Sequence, residues 1–276
     1  MITAPTDVTF RIRRFDPLTR PQPAWEEHTI PYAPGMTVLD GLRLIKETRQ
    51  PALAWRSSCR MGVCGSCGMF INGQPRLACN TQITQLDGLP VVVAPLPNFA
   101  IIRDLVPDLR PMFDAHVALH PYLIRDDTDE MAEPTGEYYQ SPEELEHFLQ
   151  FTYCIKCGCC MAACPTYATD AAYSGPMPLT QAHRYNADSR DGGFAERKAV
   201  LAGEQGPWKC HYAGECSRAC PKGVDPAKAI QHLKRRLVLD YLHLARRKEP
   251  CEKQHGPAQG KPLANIPAAP ARTVQA

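Results

Sequence analysis

Long apolar runs are missing from this chain. No segment approaches the roughly 20 apolar residues that a membrane-spanning helix needs. The longest candidate, VVVAPL at Val91 to Leu96, has the length of a buried strand. The N-terminal stretch MITAPTDVTFRIRRFDP has no apolar segment behind its charges, Arg13 and Arg14 included, so no signal peptide is expected and the chain is expected to stay where it is made. A surplus of one charge is missing as well: 31 Lys and Arg against 29 Asp and Glu leave a formal net charge of +2, without the basic excess that nucleic acid binding draws on. The charge that exists is uneven, acidic from Asp126 to Glu146 and basic from Lys222 to Lys248. Such blocks are solvated faces, or faces that orient docking on a partner or an anionic membrane. With 276 residues, 44% of them apolar, there is enough to bury the core of one large domain or two ordinary ones.

Cysteine is what the chain has in excess. Its 13 cysteines fall in three tight groups plus the stray Cys251. Disulfide scaffolds spread their cysteines more evenly, and in a reducing compartment clustered thiols hold metal or do redox work.

Between these groups the chain reads as two regions. VTFRIRRF (residues 8 to 15) alternates apolar and polar residues as a strand does, and HTIPY is a possible second strand. Thr37 caps a helix with Val38, Leu39, Leu42 and Ile45 on one face. MFINGQPRLAC reads as a hairpin turning at Asn72-Gly73, and GLPVVVAPL as a closing buried strand. A proline-rich, charged connector follows. Regular structure resumes at SPEELEHFLQF, with Ser141 as cap and Pro142 at the first helical position. A last helix starts after Asp225, its apolar face marked by Ile230, Leu233, Leu237, Tyr241 and Leu244. The tail beyond about Pro250 is expected to be disordered or draped over a partner.

The first group, Cys59, Cys64 and Cys67 with Cys79 further on, has the C-x4-C-x2-C spacing of plant-type [2Fe-2S] sites. Gly62, Gly65 and Gly68 let that loop wrap closely, with amides free to bond sulfur. A structural zinc site is the rival reading, but zinc pairs usually show two C-x2-C knuckles and this group has one. The second group, Cys154, Cys157, Cys160 and Cys164-Pro165, fits the bacterial ferredoxin run C-x2-C-x2-C-x3-C-P, whose fourth cysteine ligates the other cluster. In the third group Cys210, Cys216 and Cys220-Pro221 match the first, third and fourth positions, and Ala213 stands where the second thiol would be. The sharing rule gives a [4Fe-4S] cluster on Cys154, Cys157, Cys160 and Cys220. Cys164, Cys210 and Cys216 remain, three thiolates for a [3Fe-4S] cluster. Cys159 is read as a small buried residue between ligands; the alternative, Cys159 in place of Cys160, breaks the spacing.

This ordered set resembles the iron-sulfur subunit of succinate dehydrogenase and fumarate reductase, as do SCRMGVCGSCGMFINGQPRLAC, AHRYNADSRD and CPKGVDPAKAIQ, over about residues 8 to 240. The resemblance implies an α+β chain. A plant-type ferredoxin-like (β-grasp) domain spans residues 1–106, a connector 107–136, a mainly helical bacterial-ferredoxin-like domain with the [4Fe-4S] and [3Fe-4S] clusters 137–248, and a flexible tail 249–276. It also implies a flavoprotein partner with FAD and the dicarboxylate site, and a membrane anchor with quinone and often haem b. The chain would be the wire between them, peripheral on the cytoplasmic face of a prokaryotic plasma membrane, in the tricarboxylic acid cycle and respiratory chain. It has no Ser-His-Asp set, paired carboxylates or nucleotide loop of its own. Pro165 and His211 match the family's quinone-site positions in succinate dehydrogenases, whereas Thr169 stands where those have a quinone-contacting Trp. Gln231, Lys234 and Trp208 match the fumarate-reductase branch and point to menaquinone. The plainer alternatives are a solvated basic face for Lys234 and a hydrogen-bonded neighbour of the cluster for His211. Two other functions compete: an iron-sulfur subunit serving a thiol–disulfide couple, disfavoured by Ala213, and a zinc-stabilised assembly module.

Overall fold

The computed structural model describes residues 7–86, 90–133, 137–245 and 253–254. Cys251 and nearly all of the tail lie outside the described residues, and so does the reading of that tail as disordered.

Strands β1 (Asp7–Asp16) and β2 (Arg20–Pro31) form a long antiparallel ribbon. The alternation in β1 sends Val8, Phe10 and Ile12 into the core. HTIPY is only the end of β2. The rest of that strand, largely exposed and holding Pro21 and Pro23, gave no strand signal because it is a sheet edge, where proline is tolerated. Helix α1 (Val38–Thr48) opens with the expected Thr37 cap, closed into a box by the Asp40 carboxylate accepting from the Thr37 amide. Strands β3 (Gly68–Ile71) and β4 (Gln74–Leu77) pair around Asn72-Gly73, both at positive φ as a tight hairpin turn needs. With β5 (Val91–Ala94), parallel to β1, the sheet order is β2-β1-β5-β3-β4.

The stretch after it is more structured than a connector. It holds the small hairpin β6 (Ile101–Arg103) and β7 (Val106–Pro107), helix α2 (Arg110–Val117) with Met112 buried, and the short α3 (Thr128–Ala132). Asp104, buried in the hairpin, accepts from Arg14 Nε at 2.9 Å and from the amides of Phe15 and Ala54, which ties the hairpin to the sheet domain. Residues Glu137–Tyr138 (β8) pair with Lys253–Gln254 (β9).

The remainder is helical: α4 (Pro142–Thr152), α5 (Cys159–Ala162), α6 (Pro165–Thr169), α7 (Pro176–Ala187), α8 (Phe194–Ala202), α9 (Glu215–Arg218) and α10 (Pro226–Tyr241). Ser141 and Asp225 cap α4 and α10 as the sequence predicts. Helix α7 is central, packed on α2, α4 and α10. Arg197 is fully buried and paired with Asp191, and it donates further to the carbonyls of His120 and Tyr122, so that α8 is locked to the chain before it. Two expected apolar positions of the last helix are corrected. Ile230, Leu233 and Leu237 are buried, but Tyr241, the last residue of the helix, is 82% exposed, and Leu244, 66% exposed, lies beyond the helix end.

Candidate metal centres

The first cysteine loop is folded around its sulfurs by backbone amides. Cys59 Sγ accepts from the amides of Met61 (3.5 Å), Val63 (3.3 Å) and Cys64 (3.3 Å); Cys79 Sγ accepts from Gly62 (3.2 Å) and Cys67 Sγ from Cys79 (3.4 Å). The amides, Met61 first, pull the Cys59 thiol down to about 6, toward thiolate, whereas burial pushes Cys67 up to about 12. Cys64 is exposed and Cys67 and Cys79 are buried, so the loop presents one edge to solvent.

The eight remaining described cysteines split between two cavities, apart from Cys159. One is lined by Cys154, Cys157, Cys160 and Cys220 with Met177, Thr180 and Val224. The other is lined by Cys164, Cys210 and Cys216, with Ala213, Pro165, His211 and Tyr173. Each cavity is therefore lined in part by a cysteine from the other's sequence run. The backbone repeats between the runs. Lys156 and Gly158 have positive φ around Cys157, and Tyr212 and Gly214 have positive φ around Ala213. A one-turn helix, α5 or α9, follows each glycine. Ala213 thus occupies the place of Cys157, and a methyl group faces the cavity where its twin has a thiol.

These donor sets fit iron–sulfur groups. Soft thiols surround a space rather than a point: among the described residues no three His, Cys, Asp or Glu side chains are grouped to hold a single metal ion. Zinc draws its sulfurs to about 2.3 Å. Burial pushes the thiols of Cys154 and Cys216 up to about 11 and Cys160 well above its ordinary value, so binding must displace protons from them. Cys159 lines neither cavity. It is fully buried among the sheet-domain core residues.

Two family models match: a 2Fe-2S iron-sulfur cluster binding domain over residues 9–114 and a 4Fe-4S dicluster domain over residues 150–224. Over 227 residues, 82% of this chain and 91% of the relative, the sequence is 45% identical to the fumarate reductase iron-sulfur subunit of Mycobacterium tuberculosis. The chain belongs to the iron-sulfur subunit family of fumarate reductase and succinate dehydrogenase. The mitochondrial succinate dehydrogenase [ubiquinone] iron-sulfur subunit of Dictyostelium discoideum is 39% identical over 82% of this chain and 81% of its own length. A chain of a solved structure, the Mycobacterium smegmatis Sdh1 complex in the apo form, superposes with TM-score 0.74 and 26% identity over 87% of this chain and 98% of that one. The α+β architecture, a sheet domain followed by a helical one, is that of the family. The chain is one subunit of an oxidoreductase complex. Among its described residues no helix is long and apolar enough to cross a membrane.

The residues matched to the family's quinone site are not all in one place. Pro165 and His211 line the second cavity, and both are exposed. Lys234 is not a free surface charge: its Nζ donates to the carbonyl of Cys210 at 2.8 Å. Gln231 has a buried amide nitrogen without a partner. Trp208, 50% exposed, lies in an apolar groove with Leu237, Val238, Tyr241 and Leu242. Spacing had no means of finding two further residues. Tyr173 lines the second cavity. Asn98, at the end of the sheet domain, donates to the carbonyls of Met161 (3.1 Å), Ala162 (3.0 Å) and Cys164 (3.3 Å). Asn98 holds the cysteine run in place from a distant part of the chain.

Proposed function

We propose that this chain is the electron relay of its complex, passing electrons between an FAD-bearing flavoprotein subunit and quinone, with menaquinone as the reading, at a membrane anchor. A [2Fe-2S] cluster is assigned to Cys59, Cys64, Cys67 and Cys79, a [4Fe-4S] cluster to Cys154, Cys157, Cys160 and Cys220, and a [3Fe-4S] cluster to Cys164, Cys210 and Cys216. The observation that carries this reading is the exchange of cysteines between the two cavities, which makes them neighbours built from the same two loops. The first loop adjoins the same place, since Gly65 and Gly68 lie against the backbone of Cys157. Three sites in contact along one chain suit a relay. Iron–sulfur clusters supply one-electron transfer at potentials of about −700 to +450 mV according to type and surroundings.

The chain's own residues divide the remaining work. Amides of the first loop stabilise thiolate at Cys59. Buried apolar side chains around the middle cavity, Met177 and Val224 among them, keep water from it. At the outer end, Pro165 and His211 form an exposed mouth beside the second cavity, where a quinone held by the anchor would approach. Lys234 fixes the Cys210 turn and Gln231 offers a free amide. The apolar groove beside Trp208 and the end of α10 would seat the anchor, peripherally to the membrane. Haem b belongs to that anchor if present.

The test is purification of the complex from membranes with mild detergent under anaerobic conditions. The preparation should be brown, contain a flavoprotein and a membrane subunit, show a three-iron EPR signal when oxidised, and gain two further iron–sulfur signals on stepwise reduction. A colourless preparation, or an oxidised sample without the three-iron signal, contradicts the reading.

A further inference from the structure

Tyr173 stands in the bend between α6 and α7, and its side chain is 2% exposed. Its hydroxyl oxygen is buried and makes no well-formed hydrogen bond to a nitrogen or oxygen of the protein. A buried hydroxyl is costly to leave unpaired, so such a group needs a partner. The side chain lines the cavity of Cys164, Cys210 and Cys216. The sulfurs of Cys210, Cys164 and Cys216 neighbour its hydroxyl, and Cys210 is placed to pair with it. Several donors near these sulfurs are already engaged. The amides of Tyr167 and Tyr212 bond Cys164 and Cys210, and Lys234 Nζ bonds the Cys210 carbonyl. In the neighbouring cavity the hydroxyl of Thr180, which lines it, is spent on the carbonyl of Pro176 at 2.7 Å.

We infer that Tyr173 donates its phenol hydrogen to a sulfur of the group held by Cys164, Cys210 and Cys216, and thereby raises that group's reduction potential. The inference deepens the proposed relay and rests on it. Reduction places an added electron largely on iron and sulfur, and a hydrogen bond to sulfur is stronger when that sulfur is more negative. Hydrogen bonds to the sulfurs are among the factors that set a cluster's potential. The outer end of the relay is thus made the better electron acceptor by a residue outside every cysteine motif.

The test is an EPR-monitored redox titration of the purified complex. In Tyr173→Phe, which keeps the ring and removes the hydroxyl, the three-iron signal should keep its oxidised amplitude. At the wild-type midpoint, the ratio of reduced to oxidised centre should fall roughly tenfold, the weight of one hydrogen bond of about 1.4 kcal/mol. The other two centres should titrate unchanged. Incorporation of 3-fluorotyrosine at position 173, a more acidic and stronger donor, should shift the ratio the opposite way. This second protein decides the matter if Tyr173→Phe loses the cluster. A three-iron signal of full amplitude whose titration ignores the substitutions overturns the inference. A wild-type complex with no three-iron signal overturns the cluster assignment and the inference with it.

Discussion

Cys159 and Cys160 are neighbours in sequence with separate surroundings. Cys160 lines the cavity shared with Cys154, Cys157 and Cys220, whereas Cys159 turns into the sheet-domain core. A hydrogen bond to Cys157, ahead of burial, holds the Cys159 thiol well above its ordinary value, which makes it a protonated neighbour and not a thiolate. Cys159→Ala should therefore retain all three cluster signals at a cost of about 1 kcal/mol for the small void. Cys160→Ala should lose the four-iron signal; the reverse pattern would exchange their roles. Ala213 is the complementary case. Its backbone already copies that of Cys157, so Ala213→Cys should convert the three-iron signal to a four-iron one at lower potential, read by EPR of oxidised and reduced samples. An unchanged three-iron signal would show that the added thiol is out of reach. The proposed partition could be read from spacing because spacing within a run reflects local backbone geometry, here the positive φ at Lys156 and Gly158. Tyr173 was not legible, since its place beside Cys210 depends on how α6 leads into α7.

At the scale of elements, the caps and turns were readable from a few residues each. Thr37, Ser141 and Asp225 cap helices as predicted, and Asn72-Gly73 turns the hairpin. The last helix shows the limit of that reading. Its apolar periodicity continues to Tyr241, but only the part that meets α7 is covered, and Val238, Tyr241, Leu242 and Leu244 are left exposed. Under the anchor-docking proposal, Val238→Glu combined with Tyr241→Glu should move most of the chain from the membrane to the soluble fraction, with cluster EPR unchanged. Full retention on membranes would remove this face from the docking surface. Lys234 is a poor choice for that experiment, because its bond to the Cys210 carbonyl supports the cysteine turn.

For the molecule as a whole, the decisive contact is where the sheet domain meets the cysteine runs. Gly65 has φ +74, and a Cβ there would stand 2.9 Å from Cys157 Cβ and the Ile155 carbonyl oxygen. Gly65→Ala must therefore strain its own backbone and push the two loops apart. A loss of about 1–2 kcal/mol is expected, read as a thermal midpoint lowered by a few degrees. Slower electron exchange between the first and second centres should accompany it in freeze-quench EPR. An unchanged midpoint and unchanged exchange would show that this contact does not matter. Sequence by itself determined how the cysteines are spaced into runs, where helices begin and which family the chain resembles, because each depends on spacing over a few bonds or on residue identity. Tertiary structure alone decided that Cys159 enters a core, that Asn98 and Gly65 join the two domains at the cysteine runs, and that a buried phenol lines a cavity with three cysteines. Those facts depend on segments far apart in the chain being packed against one another, and no local pattern encodes that contact.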